Sequence, residues 1–371
     1  VACPHATNPH LSREIAKTRS ACESALFHRK ESNVLRSRTA TGAINTKHHL
    51  IAFFFSLVFV LLLHLRLFQY AEDDAYIHLR VVENLLRHGK PYFNLSEPVM
   101  VSSSPGWTLF LTLFFNVRPL SPIEVAVVNA LFTTSGAFIF MYLLRFLTNS
   151  SRRDGYYWLF GVIYVSVILT ASLGLMEIPI SLLILGLAIL LFAKGNRYGF
   201  SLMGAAVFFR LEIIIFLVIF HVYNLLKRKI SGKSALRYTA MGMLPFVIYE
   251  LFFFNTIIPN TLAAKSIIYL RSYFDIFIGV IFGLVPELPF FSLSIYQILI
   301  RIIFLVLIGF SIAVLVADSV KNRIEIEAYQ ISLATIISGA LIAAAYLKQR
   351  VYLFPWYIPL YSVPYSFLSF I

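Results

Sequence analysis

Charge is scarce in this 371-residue sequence. Only 13% of its residues are Asp, Glu, Lys or Arg, against roughly 25% in a soluble domain. With 59% hydrophobic residues and a mean hydropathy of +0.79, too little polar surface remains to cover a fold in water. The sequence therefore reads as an integral membrane protein. Cysteine is scarce as well: Cys3 and Cys22, both in the polar N-terminal stretch, argue against a disulfide framework or a cysteine metal site. The strict apolar–polar alternation of a membrane barrel strand is missing, which leaves the all-α class. Acids number 18 against 31 Lys and Arg, a net charge of +13. No zinc-finger or RNP-like pattern accompanies that excess, so nucleic acid is not an expected partner. The bases lie between apolar runs, as they do in cytoplasmic loops.

What is present is a series of apolar runs, several reaching the ~20 residues that cross a bilayer as helix. They predict a multi-span helical bundle of about eight to eleven spans, the count depending on tilt and partial crossings. Residues 1–49 are basic, lack a sustained apolar period and are expected to be disordered and cytoplasmic. The initial Val suggests a fragment or a start codon translated literally, which leaves open whether 1–49 and the C-terminal end are native. Residues 50–371 form one membrane module. Residues 51–68 are a retained anchor rather than a cleaved signal peptide. In the external loop that follows, residues 76–88 predict an interfacial amphipathic helix with Ile77, Val81 and Leu85 on one side. Residues 105–117 are too short to cross and predict a re-entrant or interfacial helix. Residues 200–226 predict a hairpin of two short limbs with Arg210 and Glu212 at its outer apex, tolerable only among other helices.

The stretch around which the chain is organised is Glu72-Asp73-Asp74-Ala75-Tyr76-Ile77, immediately after the first apolar run. Carboxylates at membrane depth are costly, so they suggest function; as a solvated helix end they would only mark the water boundary. The predicted topology carries Asp73, Asp74, Glu177, Arg210, Glu212, Asn260, Lys265, Lys348 and Arg350 to the outer ends of helices. Acids from the early part and bases from the late part suit a site that activates a hydroxyl and holds a phosphate. Asp74 or Asp73 would act as general base. Lys265, Arg350, Lys348 and Arg210 would bind the phosphate as charge grows on its bridging oxygen. Glu177, Glu212, Asn260, Tyr76 and Arg80 would support them. Plainer roles stand beside these. Arg210 and Glu212, two apart on one helix, would point in different directions and pair elsewhere. Lys348 and Arg350 would anchor a helix end at the headgroups. His64 would be a satisfied helix-contact residue, and His78 and Arg80 would cover the interface.

The motifs resemble a known family. Asp73-Asp74-Ala75-Tyr76-Ile77, Arg80, Asn84-Leu85, Gly89, Phe93-Asn94, Glu97-Pro98-Val99 and Ser104-Pro105 are similar to the first external loop of C-type (GT-C) glycosyltransferases. The likeness is greatest to the subgroup of the mycobacterial terminal arabinofuranosyltransferase. Gly174-Leu175-Met176-Glu177, Arg210-Leu211-Glu212, Pro259-Asn260-Thr261 with Ala264-Lys265, and the 350–359 stretch with Trp356-Tyr357 follow in the same order. Leu211 departs from the Pro of the subgroup's Arg-Pro-Glu. The soluble C-terminal domain of the arabinofuranosyltransferases is not expected here.

The resemblance implies inverting transfer of a sugar from a polyprenyl-phosphate donor to a glycan, glycolipid or protein acceptor at the outer membrane face, with Asp73 and Asp74 essential. It names neither sugar nor acceptor. No cofactor is required by the sequence; a divalent cation would take Asp73, Asp74 and Glu177 as hard oxygen ligands. The rival function is a flippase or transporter of lipid-linked sugars, which would use the same bases without proton abstraction.

Overall fold

The computed structural model describes residues 46–67, 73–114, 121–148, 164–165, 168, 172–256, 326–349, 359–360 and 363. All regular structure among them is helical, in agreement with the all-α expectation. The helices are α1 (Thr46–Leu67), α2 (Asp73–His88), α3 (Pro105–Phe114), α4 (Pro122–Thr148), α5 (Ile178–Ala193), α6 (Tyr198–Phe209), α7 (Ile214–Lys227), α8 (Gly232–Phe254) and α9 (Ile326–Gln349). The chain divides into two compact units, residues 1–52 and 53–371. Of the first, only the opening turns of α1 are described.

Two segments, Pro122–Leu147 in α4 and Gln330–Gln349 in α9, are long and apolar enough to cross a membrane. Helices α5 and α6 are apolar but shorter, 16 and 12 residues, about 24 and 18 Å at 1.5 Å per residue. Both are largely buried by their neighbours.

Small residues set the tightest contact. A Cβ on Gly204 would lie 2.8 Å from the Thr239 carbonyl oxygen, and one on Gly242 would overlap the Ser201 carbonyl. Helices α6 and α8 therefore meet backbone to backbone, as small residues allow in apolar surroundings. Further along, Phe208 packs on Phe246 and Tyr249. The two helices thus run in the same direction. Helix α5 precedes α6 through a tight turn at 194–197 and runs opposite to it.

That connectivity sorts charge. Glu177 at the start of α5, Arg210 and Glu212 after α6, and Glu250 near the end of α8 fall at one end of the bundle. Lys194 and Arg197 between α5 and α6, and Lys227, Arg228, Lys229 and Lys233 between α7 and α8, fall at the other. Several polar side chains are buried within the apolar core, while some large apolar ones are exposed. His64, Asn129, Thr133, Ser172, Glu177 and Arg210 are buried, whereas Phe55, Leu113, Leu226 and Phe252 are 67, 70, 77 and 78% exposed.

Helix α2 departs from the expected 76–88 boundaries. It begins at Asp73, so both aspartates occupy its first turn, where the helix dipole favours negative charge. Its buried face also differs: Ala75, His78, Val81, Val82 and Asn84 are buried, while Ile77 and Leu85 are half-buried. The polar pair turns inward because each has partners there. Asn84 donates to the carbonyls of Tyr92 and Phe93 at 2.7 and 3.0 Å, and His78 Nδ1 meets Ser102 Oγ at 3.0 Å. Helix α3 is described over the 10 residues Pro105–Phe114, and the rest of the expected 105–117 segment lies outside the described residues. The helix is fixed by Gly106 against the Phe208 carbonyl and by Ser104, whose hydroxyl donates to the Phe209 carbonyl at 2.6 Å.

Candidate functional site

The site is built where α6 breaks. Arg210 adopts an extended backbone, φ −156° and ψ 113°, then Leu211–Ile213 form one 3-10 turn before α7 starts. The hairpin expected over 200–226 is thus realised as α6, this break and α7. Extended backbone is what a following Pro imposes on the residue before it. Here the chain adopts it with Leu at 211.

The break turns Arg210 inward. Its guanidinium is 1% exposed and pairs with the Glu177 carboxylate, which is fully buried. Nε lies 3.0 Å from Glu212 Oε2, and a terminal nitrogen donates to Glu212 Oε1 at 3.1 Å. A pair two residues apart on one helix could not meet in this way; off the helix, it does. Tyr346, near the end of α9, donates to the same Glu212 oxygen at 2.6 Å. His78 Nε2 approaches Glu177 Oε2 at 3.6 Å from the other side. A polar chain therefore runs His78–Glu177–Arg210–Glu212–Tyr346, tying α2, the start of α5, the α6–α7 break and α9. In low dielectric such a chain is rigid only when each charge is opposed. Here one guanidinium faces two carboxylates.

Glu177 is positioned from behind. Leu175, at φ +60°, closes the 172–177 turn. Asn129 of α4 donates to the carbonyls of Ser172 and Met176, both at 3.1 Å. Ser172 Oγ meets Thr133 Oγ1 at 2.6 Å and His64 Nε2 at 2.7 Å. His64 Nδ1 in turn bonds the Val60 carbonyl at 2.8 Å. His64 is thus a helix-contact residue with both nitrogens occupied. Pro179 early in α5 suits a first helical turn, and Ser181 donates to the Glu177 carbonyl through both N–H and hydroxyl.

The predicted site residues fall into four groups. Glu177, Arg210 and Glu212 are brought together. Asp73, Asp74, Tyr76 and Arg80 lie on α2, which His78 links to that group. Of these, Asp74 is half-buried and one turn ahead of His78, while Asp73, Tyr76 and Arg80 are exposed. Arg80 pairs with Glu83 at 3.0 Å. Lys348 is exposed at the end of α9, two residues beyond Tyr346. Asn260, Lys265 and Arg350, and the Trp356-Tyr357 motif, lie outside the described residues. Arg210, expected to hold phosphate, instead engages two carboxylates. Among the described residues no group of three or more His, Cys, Asp or Glu is arranged to hold a metal. Asp73, Asp74 and Glu177 are therefore not gathered as a ligand set, Glu177 facing Arg210.

Two participants, Tyr346 and His78, and a separate buried acid, Glu250, have no site role in the sequence reading. Tyr346 carries no local signal. His78 was given only an interfacial role, although its i+4 spacing from Asp74 shares a helix face with it. Glu250 is fully buried, and neither carboxylate oxygen has a hydrogen-bond partner among the described residues. A lone acid inside an apolar helix was its available signal.

Comparison with protein-family models, curated proteins and solved structures finds no match to this chain.

Proposed function

We propose that the chain is a multi-span membrane glycosyltransferase. It moves a sugar from a polyprenyl-phosphate donor to an acceptor hydroxyl on the external face, with inversion and with Asp74 as general base. The N-terminus is then cytoplasmic. Support for the membrane setting comes from the large apolar side chains that stay exposed around the apolar core, Phe55, Leu113, Leu226 and Phe252 among them, while Arg210 and Glu177 are buried and paired.

The observation that carries the chemistry is the seating of α2. Asp74 occupies the half-buried side of its first turn, and four residues later His78 contacts Glu177 of the buried ionic chain. Asp73 faces solvent. A base has to be held at a fixed distance from its acceptor, and Asp74 has the more constrained position. In the proposed step Asp74 takes the acceptor hydroxyl proton as that oxygen bonds to the anomeric carbon. The carbon–oxygen bond to phosphate breaks, and the phosphate leaves with the electron pair. It needs no proton from the protein, only cations. Lys348 is one, with Lys265 and Arg350 as the others proposed; Arg210 is reassigned to holding Glu177 and Glu212.

The test is transfer of labelled sugar from a panel of polyprenyl-phosphate donors by membranes carrying wild type, Asp74→Asn or Asp73→Asn. Loss of a positioned base should lower turnover by about 10²–10⁴-fold with donor binding retained in Asp74→Asn. Asp73→Asn, at the exposed position, should retain more transfer than Asp74→Asn if Asp74 is the base. Equal transfer by Asp74→Asn and wild type rejects the base assignment. Wild type that transfers from no donor but moves labelled lipid across the bilayer rejects the enzyme in favour of a transporter.

A further inference from the structure

The end of the bundle opposite Glu177 and Arg210 carries a surface unused by the proposed transfer. Two turns form it, residues 194–197 and 228–231. They pack on one another: Lys229 Nζ donates to the Ala193 carbonyl at 2.7 Å and lies 5.6 Å over the Phe192 ring. Arg197 lies 5.1 Å over the Tyr238 ring, and Tyr198 meets Tyr238 edge-on at 5.0 Å. The end of α4 joins them, with Lys194 5.1 Å over Tyr142.

The exposed side chains here are Lys194, Arg197, Lys227, Arg228, Lys233 and Arg237. Residues 178–211 and 213–249 contain no Asp or Glu, so no acid from α5, α6, α7 or α8 lies at this end. Interleaved with the cations are Tyr198, Leu225, Leu226 and Leu236, which are 53, 66, 77 and 66% exposed. Water alone would not favour exposed leucines beside lysines. A boundary with acyl chains on one side and phosphates on the other favours both, and the long basic side chains reach from one to the other.

We propose that these two turns form a docking surface for anionic phospholipid headgroups. Its cations contact lipid phosphates, and its leucines and Tyr198 enter the acyl boundary. This requires the chain to sit in a bilayer but not that it transfer sugar.

The experiment is native mass spectrometry of the purified full chain in neutral detergent, titrated with phosphatidylglycerol or phosphatidylcholine of matched chains. Wild type should bind phosphatidylglycerol more tightly, and salt at about 0.5 M should erase the preference by screening. Each cation near anionic lipid contributes on the order of fivefold. Replacing Lys194, Arg197, Lys227 and Arg228 together with Gln should therefore reduce the preference by at least about tenfold. Arg87→Gln with Lys90→Gln, on α2 and the loop after it, should leave it unchanged. Equal binding of the two lipids by wild type overturns the proposal. So does a preference that survives high salt, which needs no variant to fold, and so does loss of phosphatidylglycerol to millimolar inorganic phosphate, which would identify a free-anion site.

Discussion

Arg210 carries the highest local stakes. Among the described residues it is a cation paired with both Glu177 and Glu212, and its guanidinium is buried. Removing one partner of a buried ionic group leaves the others uncompensated, which costs about 3–5 kcal/mol. Arg210→Gln is therefore expected to lower the unfolding midpoint of the detergent-solubilised protein by that equivalent. Tyr346→Phe removes the hydrogen bond to Glu212, a partly exposed carboxylate, and should cost about 1.5 kcal/mol. If the two variants unfold alike, Arg210 is not the centre of the group. The identities of Glu177, Arg210 and Glu212 were legible in the sequence as charges in apolar surroundings. Their mutual pairing was not. Helical spacing keeps positions two apart from facing each other, and only the extended backbone at Arg210 removes that restriction.

Among the elements, the α6–α8 contact is the most sensitive to size. Gly204 and Gly242 bring two backbones together with no room for a Cβ. Gly242→Ala has to push α8 away from Ser201, and small-to-large changes in tight packing cost about 1–3 kcal/mol. Gly232→Ala is the matched control: its added Cβ would meet only the Leu225 side chain at 3.8 Å. It should be neutral or slightly stabilising, since Ala favours helix over Gly. Thermal unfolding of the two variants side by side checks this. Helix existence in this part of the chain follows from apolar runs and stops. The buried face of α2 does not, because periodicity counts His78 and Asn84 as polar and sends them outward. Their partners, Ser102 and the Tyr92 and Phe93 carbonyls, lie on a loop whose path has no periodic signature.

At the scale of the whole molecule, the separation of charge along α5 to α8 makes a claim about orientation. Glu177, Glu212, Glu250 and the start of α2 share one end, and the exposed cations of the 194–197 and 228–231 turns share the other. Loops rich in Lys and Arg stay on the cytoplasmic side because moving them across is opposed during insertion. The basic end should therefore face the cytoplasm, and the end carrying Asp74 should face outward, where a lipid-linked sugar would be met. Single cysteines decide the matter once Cys3 and Cys22 are replaced by Ser. Ser96→Cys, on the exposed loop after α2, should react with a membrane-impermeant thiol reagent in intact cells. Ser231→Cys, exposed between α7 and α8, should react only after permeabilisation. The reverse pattern would place Asp74 on the cytoplasmic side and remove the external donor from the proposed reaction. Equal labelling of both in intact cells would mean that the chain does not separate the two ends across a bilayer, and both membrane proposals would fall together.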